Sequence, residues 1–278
     1  MKTNKIVVHC IVKNEENFIW YALQSVLPFV DKIMIWDTGS EDKTVEIIKS
    51  MDSPKIDFVE KGSVDSETHT KLRGEMLDKT DKQKYRWLLI LDGDEIWGKK
   101  EIIKMIEIAN KKEPSAIVVR TINLVGDIYH KLPESSGKYE IAGQKGHLSI
   151  RLIDLSLKNL KVMNPHGGQT YTTSGTAIQN LPIKELFFSE EIYFFHTTHL
   201  ERSSLDSKTL KRSFKRKYEI GEKIKTNSLP EIFFQKHPSI VPEVTKPMSV
   251  VIFLRCLLET IPKRLKRKFF PSKKSGYI

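Results

Sequence analysis

The chain has 278 residues, enough for one large domain or one domain with a tail, and at 39% hydrophobic and 29% charged it can build a core. Its two cysteines, Cys10 and Cys256, lie far apart in apolar settings, which excludes a disulfide framework and a cysteine-based zinc site and points to a reducing compartment. The formal charge is +11, but residues 255–278 hold Arg255, Lys263, Arg264, Lys266, Arg267, Lys268, Lys273 and Lys274 against Glu259 alone, so +7 of it belongs to the tail.

In chain order, the N-terminal apolar run is too short for a signal peptide, and no run of about 18 apolar residues is present to span a bilayer. Ile6 to Val12 shows no alternation, the pattern of a strand buried on both faces, and stops at Lys13-Asn14-Glu15-Glu16. A helical pattern follows through Phe18, Ile19, Ala22, Leu23 and Val26 and ends at Pro28. Lys32 to Trp36 is a second strand running straight into Asp37-Thr38-Gly39-Ser40. Ser40, Asp42 and Thr44 are caps for the helix that carries Val45, Ile47 and Ile48. Ile56 to Val59 is a short third strand, and Leu72 to Leu77 is helical.

Trp87 to Leu91 is again wholly apolar and ends abruptly in Asp92-Gly93-Asp94-Glu95. A core strand thus delivers three carboxylates to its C-terminal tip, where open α/β sheets bind ligands. Gly93 lets the backbone turn tightly, so that Asp92 and Asp94 point at one small volume. Two carboxylates make a poor cage alone but suit a Mg²⁺ or Mn²⁺ that takes its other ligands from water and substrate phosphates; the plain alternative is a solvated acidic turn. Asp37 should face the same crevice, either accepting hydrogen bonds from a ribose or base or serving as a turn or cap residue. No G-x-G-x-x-G follows the first strand and no P-loop exists, which excludes a dinucleotide oxidoreductase and a P-loop nucleotidase.

Strand–helix alternation predicts an α/β fold with a mostly parallel sheet flanked by helices. Beyond Trp97 the alternation weakens. Glu101 to Ala109 is helical, Ala116 to Arg120 and Leu148 to Ile153 are strands, and glycine-rich loops lie between, as in a smaller antiparallel region that shapes an acceptor pocket. Ile192 to Leu200 is a buried strand with a polar end, and His196 or His199 is a third metal ligand or a hydrogen-bonded strand-end histidine. Lys208 to Lys225 is a basic helical stretch. Pro238, Pro242 and Pro247 mark a loop or linker. Met248 to Ile261 is an apolar helix leading into Pro262 and a basic-aromatic cluster, and this pairing suits an anionic membrane surface.

Taken together, IVKNEENFIWYALQSVLPFVDKIMIWDTGSEDKTVEII, then Arg73, then WLLILDGDEIW resemble the family 2 glycosyltransferases over roughly the first 105 residues. The resemblance implies the GT-A fold, a nucleotide-sugar donor such as a UDP-sugar, a divalent Mn²⁺ or Mg²⁺ at the D-x-D, and inversion at the anomeric carbon. By position it implies Asp37 on the nucleoside, Asp92, Gly93 and Asp94 at the ribose, metal and diphosphate, Lys13, Asn14 and Glu15 lining the nucleotide pocket, and Arg73 near the phosphates or nucleoside. A subgroup of the family has His-Glu where this chain has His166-Gly167, which leaves the catalytic base unassigned by motif. Spacing in similar enzymes points to Glu185, Glu190 or Glu191, of which Glu190 and Glu191 are chosen.

The expected organisation is a GT-A domain over residues 1–225, with a nucleotide-binding half at 1–110 and an acceptor half at 111–225, and a basic, amphipathic tail at 226–278. The expected partners are the donor, a glycan or lipid-linked acceptor of the cell envelope and an anionic membrane surface, for an enzyme that is cytoplasmic and peripheral on the inner face of the membrane. A nucleotidyltransferase would show a glycine-rich loop after strand one. A nucleic-acid-binding protein would not line its crevice with carboxylates, so no nucleic acid is expected.

Overall fold

Apolar runs without alternation demand a sheet covered on both faces, and the computed structural model has one. It describes residues 4–164, 168–208, 212 and 215–269. Strands β1 (Ile6–Val12), β2 (Lys32–Asp37), β3 (Ile56–Glu60) and β4 (Trp87–Leu91) pair in parallel, with β1 between β2 and β4. After β5 (Glu95–Trp97), β6 (Ala116–Val125) and β7 (Asp127–Lys131) come a small hairpin of β8 (Tyr139–Ile141) and β9 (Gln144–Gly146), and then β10 (Leu148–Asp154). β10 runs antiparallel between β4 and β6. β11 (Lys161–Met163), β12 (Thr170–Thr173) and β13 (Thr176–Ala177) form a separate antiparallel sheet. β14 (Leu186–His196) returns beside β6 in parallel, and β15 (Glu222–Lys223) edges β7. The α/β class and mostly parallel sheet expected from the sequence are present.

Two apolar layers sandwich the sheet. Val8, Cys10, Ile33, Ile35 and Leu89 face α1 (Ile19–Val26) and α2 (Thr44–Lys49). Val7, Met34, Leu88 and Ile90 face α3 (Ser66–Asp78) through Leu72 and Met76. Successive residues of one strand feed opposite layers, which is why the runs lack polar interruptions. α4 (Lys99–Lys112) packs Ile102 and Met105 into the first layer.

The strand directions decide where function can sit. β1, β2, β4, β6 and β14 all point their C-terminal ends at one edge, so residues 13–16, 37–40, 92–95 and 196–197 meet there.

Three expectations change. The segment 226–249 is not a linker: Leu229, Ile232, Phe233 and Val241 join the main core, and the Tyr21 hydroxyl donates to Pro242 O at 2.9 Å. Packing on α1 outweighs the prolines, so only the last helix stands apart. The basic stretch does not continue as a helix beyond residue 215: Tyr218 and Ile220 lie in irregular chain, and Ile220 N donates to Thr260 Oγ1. Leu210 and Phe214 lie outside the described residues. Finally, α5 (Val250–Phe269) runs through Pro262 without ending there. Lys263 Nζ bonds both Tyr218 O and Glu259, which anchors the turn that follows the proline. Among the described residues no helix is long and apolar enough to cross a membrane.

Candidate active site

Two strand-to-helix turns form one end of the crevice, and they are latched to each other. Asn14, in the left-handed region at φ 53°, donates its N–H to Ser40 Oγ and accepts from Glu41 N. Glu15 N donates to Thr44 Oγ1 and Glu16 N to Asp42. The hydroxyls of Ser40 and Thr44, expected as helix caps, thus bind the neighbouring turn instead. Asp37 is buried, and its Oδ2 accepts from Gly39 N and Ser40 N at 2.9 Å each. It builds the turn whose conformation Gly39 (φ 85°) permits, where a Cβ would collide with Ser63 N. Lys13 Nζ reaches Ser63 Oγ.

The Asp92–Glu95 turn is packed against this end. A Cβ on Gly93 would lie 2.9 Å from Glu15 Cγ and 3.1 Å from Val12 Cγ1, so the glycine serves close approach. Asp92 has a 41% exposed carboxylate flanked by Arg151 at 3.5 Å and Arg73 at 3.6 Å, both beyond a good hydrogen bond. Burial raises its pKa, but the two guanidinium groups outweigh that and the net shift is downward. Asp94 is buried. Its Oδ2 takes Arg202 Nη1 at 2.6 Å and has His196 Nε2 at 3.3 Å. Burial raises its carboxyl, and Arg202 with His196 overcomes that and holds it well below the usual carboxylate range. Glu95 is fully buried and binds Arg151; desolvation pushes its pKa to about 7 against that arginine.

Glu15 closes the network from the other side. It bonds Arg202 at 3.1 Å and Arg212 at 2.7 Å, yet burial still raises its pKa to about 8. Arg212 also grips the carbonyls of Lys13 and Asn14 and reaches Asp206 at 3.2 Å. Glu15, Asp92, Asp94, Glu95 and Asp206 therefore interlock with the guanidinium groups of Arg73, Arg151, Arg202 and Arg212 on one edge. Arg151, Arg202 and Arg212 carry no mark in the sequence as site residues: the first sits in a strand, the other two in polar or basic chain. The one available signal was the surplus of buried acids that needed partners.

The structure brings Glu15, Asp92, Asp94, Arg73 and His196 together. It does not bring in His199, whose Nδ1 donates to Lys215 O, or the two glutamates chosen as the base. Glu190 is paired with Arg120 and Glu191 with Lys104, both exposed on the bulged stretch of β14. Glu190 stands six residues short of His196, roughly 20 Å along a strand. That position corrects the expectation drawn from spacing: a bulge and a strand that begins earlier than foreseen shift these residues away from the tip. Glu185 accepts from Ser115 Oγ at the opposite end of β14. His166 lies outside the described residues.

A hard divalent cation fits this donor set in the manner of Mg²⁺, which needs only one or two carboxylates beside substrate phosphates. Asp92 offers an open carboxylate and Asp94 lies two residues on, while no group of three or more metal-ligating side chains forms among the described residues.

A mostly parallel sheet with acidic turns gathered on its C-terminal edge is an α/β arrangement that presents polar groups where ligands bind. The chain belongs to glycosyl transferase family 2, whose model matches residues 7–167. Among solved structures, S. aureus TarS 1-349 in complex with UDP-GlcNAc is 12% identical with a TM-score of 0.49, over 69% of this chain and 58% of that one. S. aureus TarS is 13% identical with a TM-score of 0.48, over 71% of this chain and 37% of that one. The synthase of 4-diphosphocytidyl-2C-methyl-D-erythritol from Anaerococcus prevotii is 15% identical with a TM-score of 0.35, over 55% and 71%. The chain spans 60% of the TarS 1-349 structure. No curated protein matches it.

Proposed function

We propose that this glycosyltransferase moves a sugar from a UDP-sugar to an envelope polysaccharide or lipid-linked glycan, with inversion, and with Mn²⁺ or Mg²⁺ at Asp92 and Asp94. The observation that carries the reading is the convergence of polar turns from β1, β2, β4 and β14 on one edge, with an open Asp92 carboxylate among guanidinium groups. When bound, the ion neutralises charge on the leaving nucleoside diphosphate. The chain's own part is to shape and screen. Asp37 fixes the turn at the nucleoside end, Lys13 adds a cation there, and Arg73 and Arg151 flank the open Asp92 carboxylate. Arg202 keeps the buried Asp94 carboxylate charged without water. Inversion also needs a carboxylate beside the acceptor hydroxyl.

Peripheral attachment to the inner face of a membrane belongs to the same reading. Val250, Leu254, Leu258, Ile261, Leu265 and Phe269 follow a helical spacing along α5 and are all exposed, while Cys256 and Thr260 face the protein. Cations neighbour this stripe, so it suits an anionic bilayer lying in plane with the helix.

The test is thermal melting with UDP and Mn²⁺. At about a hundredfold excess over Kd the midpoint should rise by about 5–10 °C, and a single-stranded oligonucleotide should leave it unchanged. A larger rise with the oligonucleotide would remove the enzyme reading. A panel of nucleotide-sugars assayed for hydrolysis then identifies the donor.

A further inference from the structure

Arg73 holds buried donors without partners. The Arg73 guanidinium on α3 is 5% exposed, and its Nε and Nη1 complete no hydrogen bond; the Tyr171 hydroxyl on β12 is 6% exposed and has the same guanidinium as its polar neighbour. The two groups are neighbours, and both face Asp92 and Arg151. Four separate elements therefore aim polar groups at one spot beside the crevice. Unpaired buried donors of this kind are rare because desolvating them is unfavourable. The arrangement is held deliberately: Gln169 Nε2 donates to Thr70 Oγ1 at 3.1 Å and Thr70 Oγ1 donates to Asn164 O at 2.7 Å, which staples the small β11–β13 sheet to α3 and sets Tyr171 over Arg73.

We infer that this spot receives the sugar ring of the donor, and that Tyr171 is a specificity-determining residue which, with Arg73, reads the ring's hydroxyl groups. The inference rests on the nucleotide-sugar reading above and names the part of the donor bound here. The chemistry of the four groups selects a polyol. Asp92 only accepts, the guanidinium groups only donate, and the Tyr171 hydroxyl does either; a sugar hydroxyl donates and accepts at once. Sites that leave buried donors unpaired in the absence of a substrate hydroxyl discriminate strongly against ligands that lack it.

The experiment compares UDP with UDP-glucose, UDP-galactose and UDP-GlcNAc by calorimetry in Mn²⁺, using the wild-type chain, Tyr171→Phe and Arg73→Lys. Tyr171→Phe should weaken the tightest UDP-sugar about ten-fold, the worth of one hydrogen bond, and leave UDP unchanged. An equal change for UDP and UDP-sugar, or a change for neither, overturns the inference, because Tyr171 would then serve the nucleotide or the fold alone. If Tyr171→Phe melts early, Arg73→Lys decides by the same separation, since it keeps the charge and loses the planar fork. A wild-type chain that binds no nucleotide overturns the donor reading and this inference with it. A chain that binds UDP normally but shows no sugar-dependent difference among the variants overturns the inference alone.

Discussion

The crevice and the C-terminal helix depart from the ordinary distribution of side chains in opposite directions. At the crevice, charge is inside: Asp94, Glu95, Glu15 and Arg73 are all buried. On α5, hydrocarbon is outside: Leu258 is 79% exposed and Val251 77%. Scattered exposed leucines need no explanation, but a continuous helical stripe does. The contrast teaches where each region looks for its partner. The crevice neutralises itself with arginines and leaves the Asp92 carboxylate half open, a setting that suits a small polar ligand. Among the described residues nothing covers the stripe from Val250 to Leu265, which would suit an extended apolar surface.

The largest expected effect breaks the crevice side. Asp94→Asn should lower transfer by about three orders of magnitude, roughly 4 kcal/mol, in keeping with loss of an electrostatic group at a developing charge. Arg202 keeps Glu15 as a partner in that variant, so the fold should survive. Undiminished transfer in Asp94→Asn, or in EDTA, would leave the turn a structural one.

Arg202→Gln should be costly to the fold itself. Removing one member of a buried charge network typically destabilises by about 3–5 kcal/mol, because Asp94 and Glu15 are left facing each other. Urea denaturation measures it; a loss under about 1 kcal/mol would mean that the network is wetter than its burial implies.

On the other side of the comparison, Leu254→Glu with Leu258→Glu should reduce sedimentation with anionic liposomes at least about ten-fold and spare activity on a soluble acceptor. Wild-type chain that stays in solution with such liposomes at low salt would turn the stripe into a protein-binding face.

The smallest effect is on pH dependence. His9 is buried against Thr80, and desolvation, together with the nearby Arg73 charge, lowers its pKa to about 3. The unfolded chain binds a proton at His9 below about pH 6.5 and the native chain does not until about pH 3, so stability from this group is present at neutral pH and falls as pH drops between these values. In His9→Gln, the melting midpoint between pH 4 and 6 should fall less steeply than in the wild type.

The strands were legible because a doubly covered sheet writes an unbroken apolar run, and the run's abrupt end at Asp92 marks the tip. The cations that complete the site were not. Arg202 meets Asp94 across 108 residues and Glu15 across 187, and no local periodicity records such a pairing. Asp37 read equally as ligand contact or turn residue, and its oxygens show the turn role directly. Glu190 and Glu191 were chosen by counting residues, which fails once a bulge breaks the register of β14.

The Arg202 and Arg212 grips also bear on the order in which the chain becomes competent. During synthesis the strands that carry Glu15, Asp92 and Asp94 emerge well before either arginine. Until residues 202–212 leave the ribosome, a nascent chain must keep those acids hydrated or protonated, which holds the β1 and β4 turns open. Closing the crevice is then a late, long-range event, opposed by the entropy of drawing in a long loop. A sheet that is already paired thus acquires its reactive edge last, when the distal arginines arrive to discharge it.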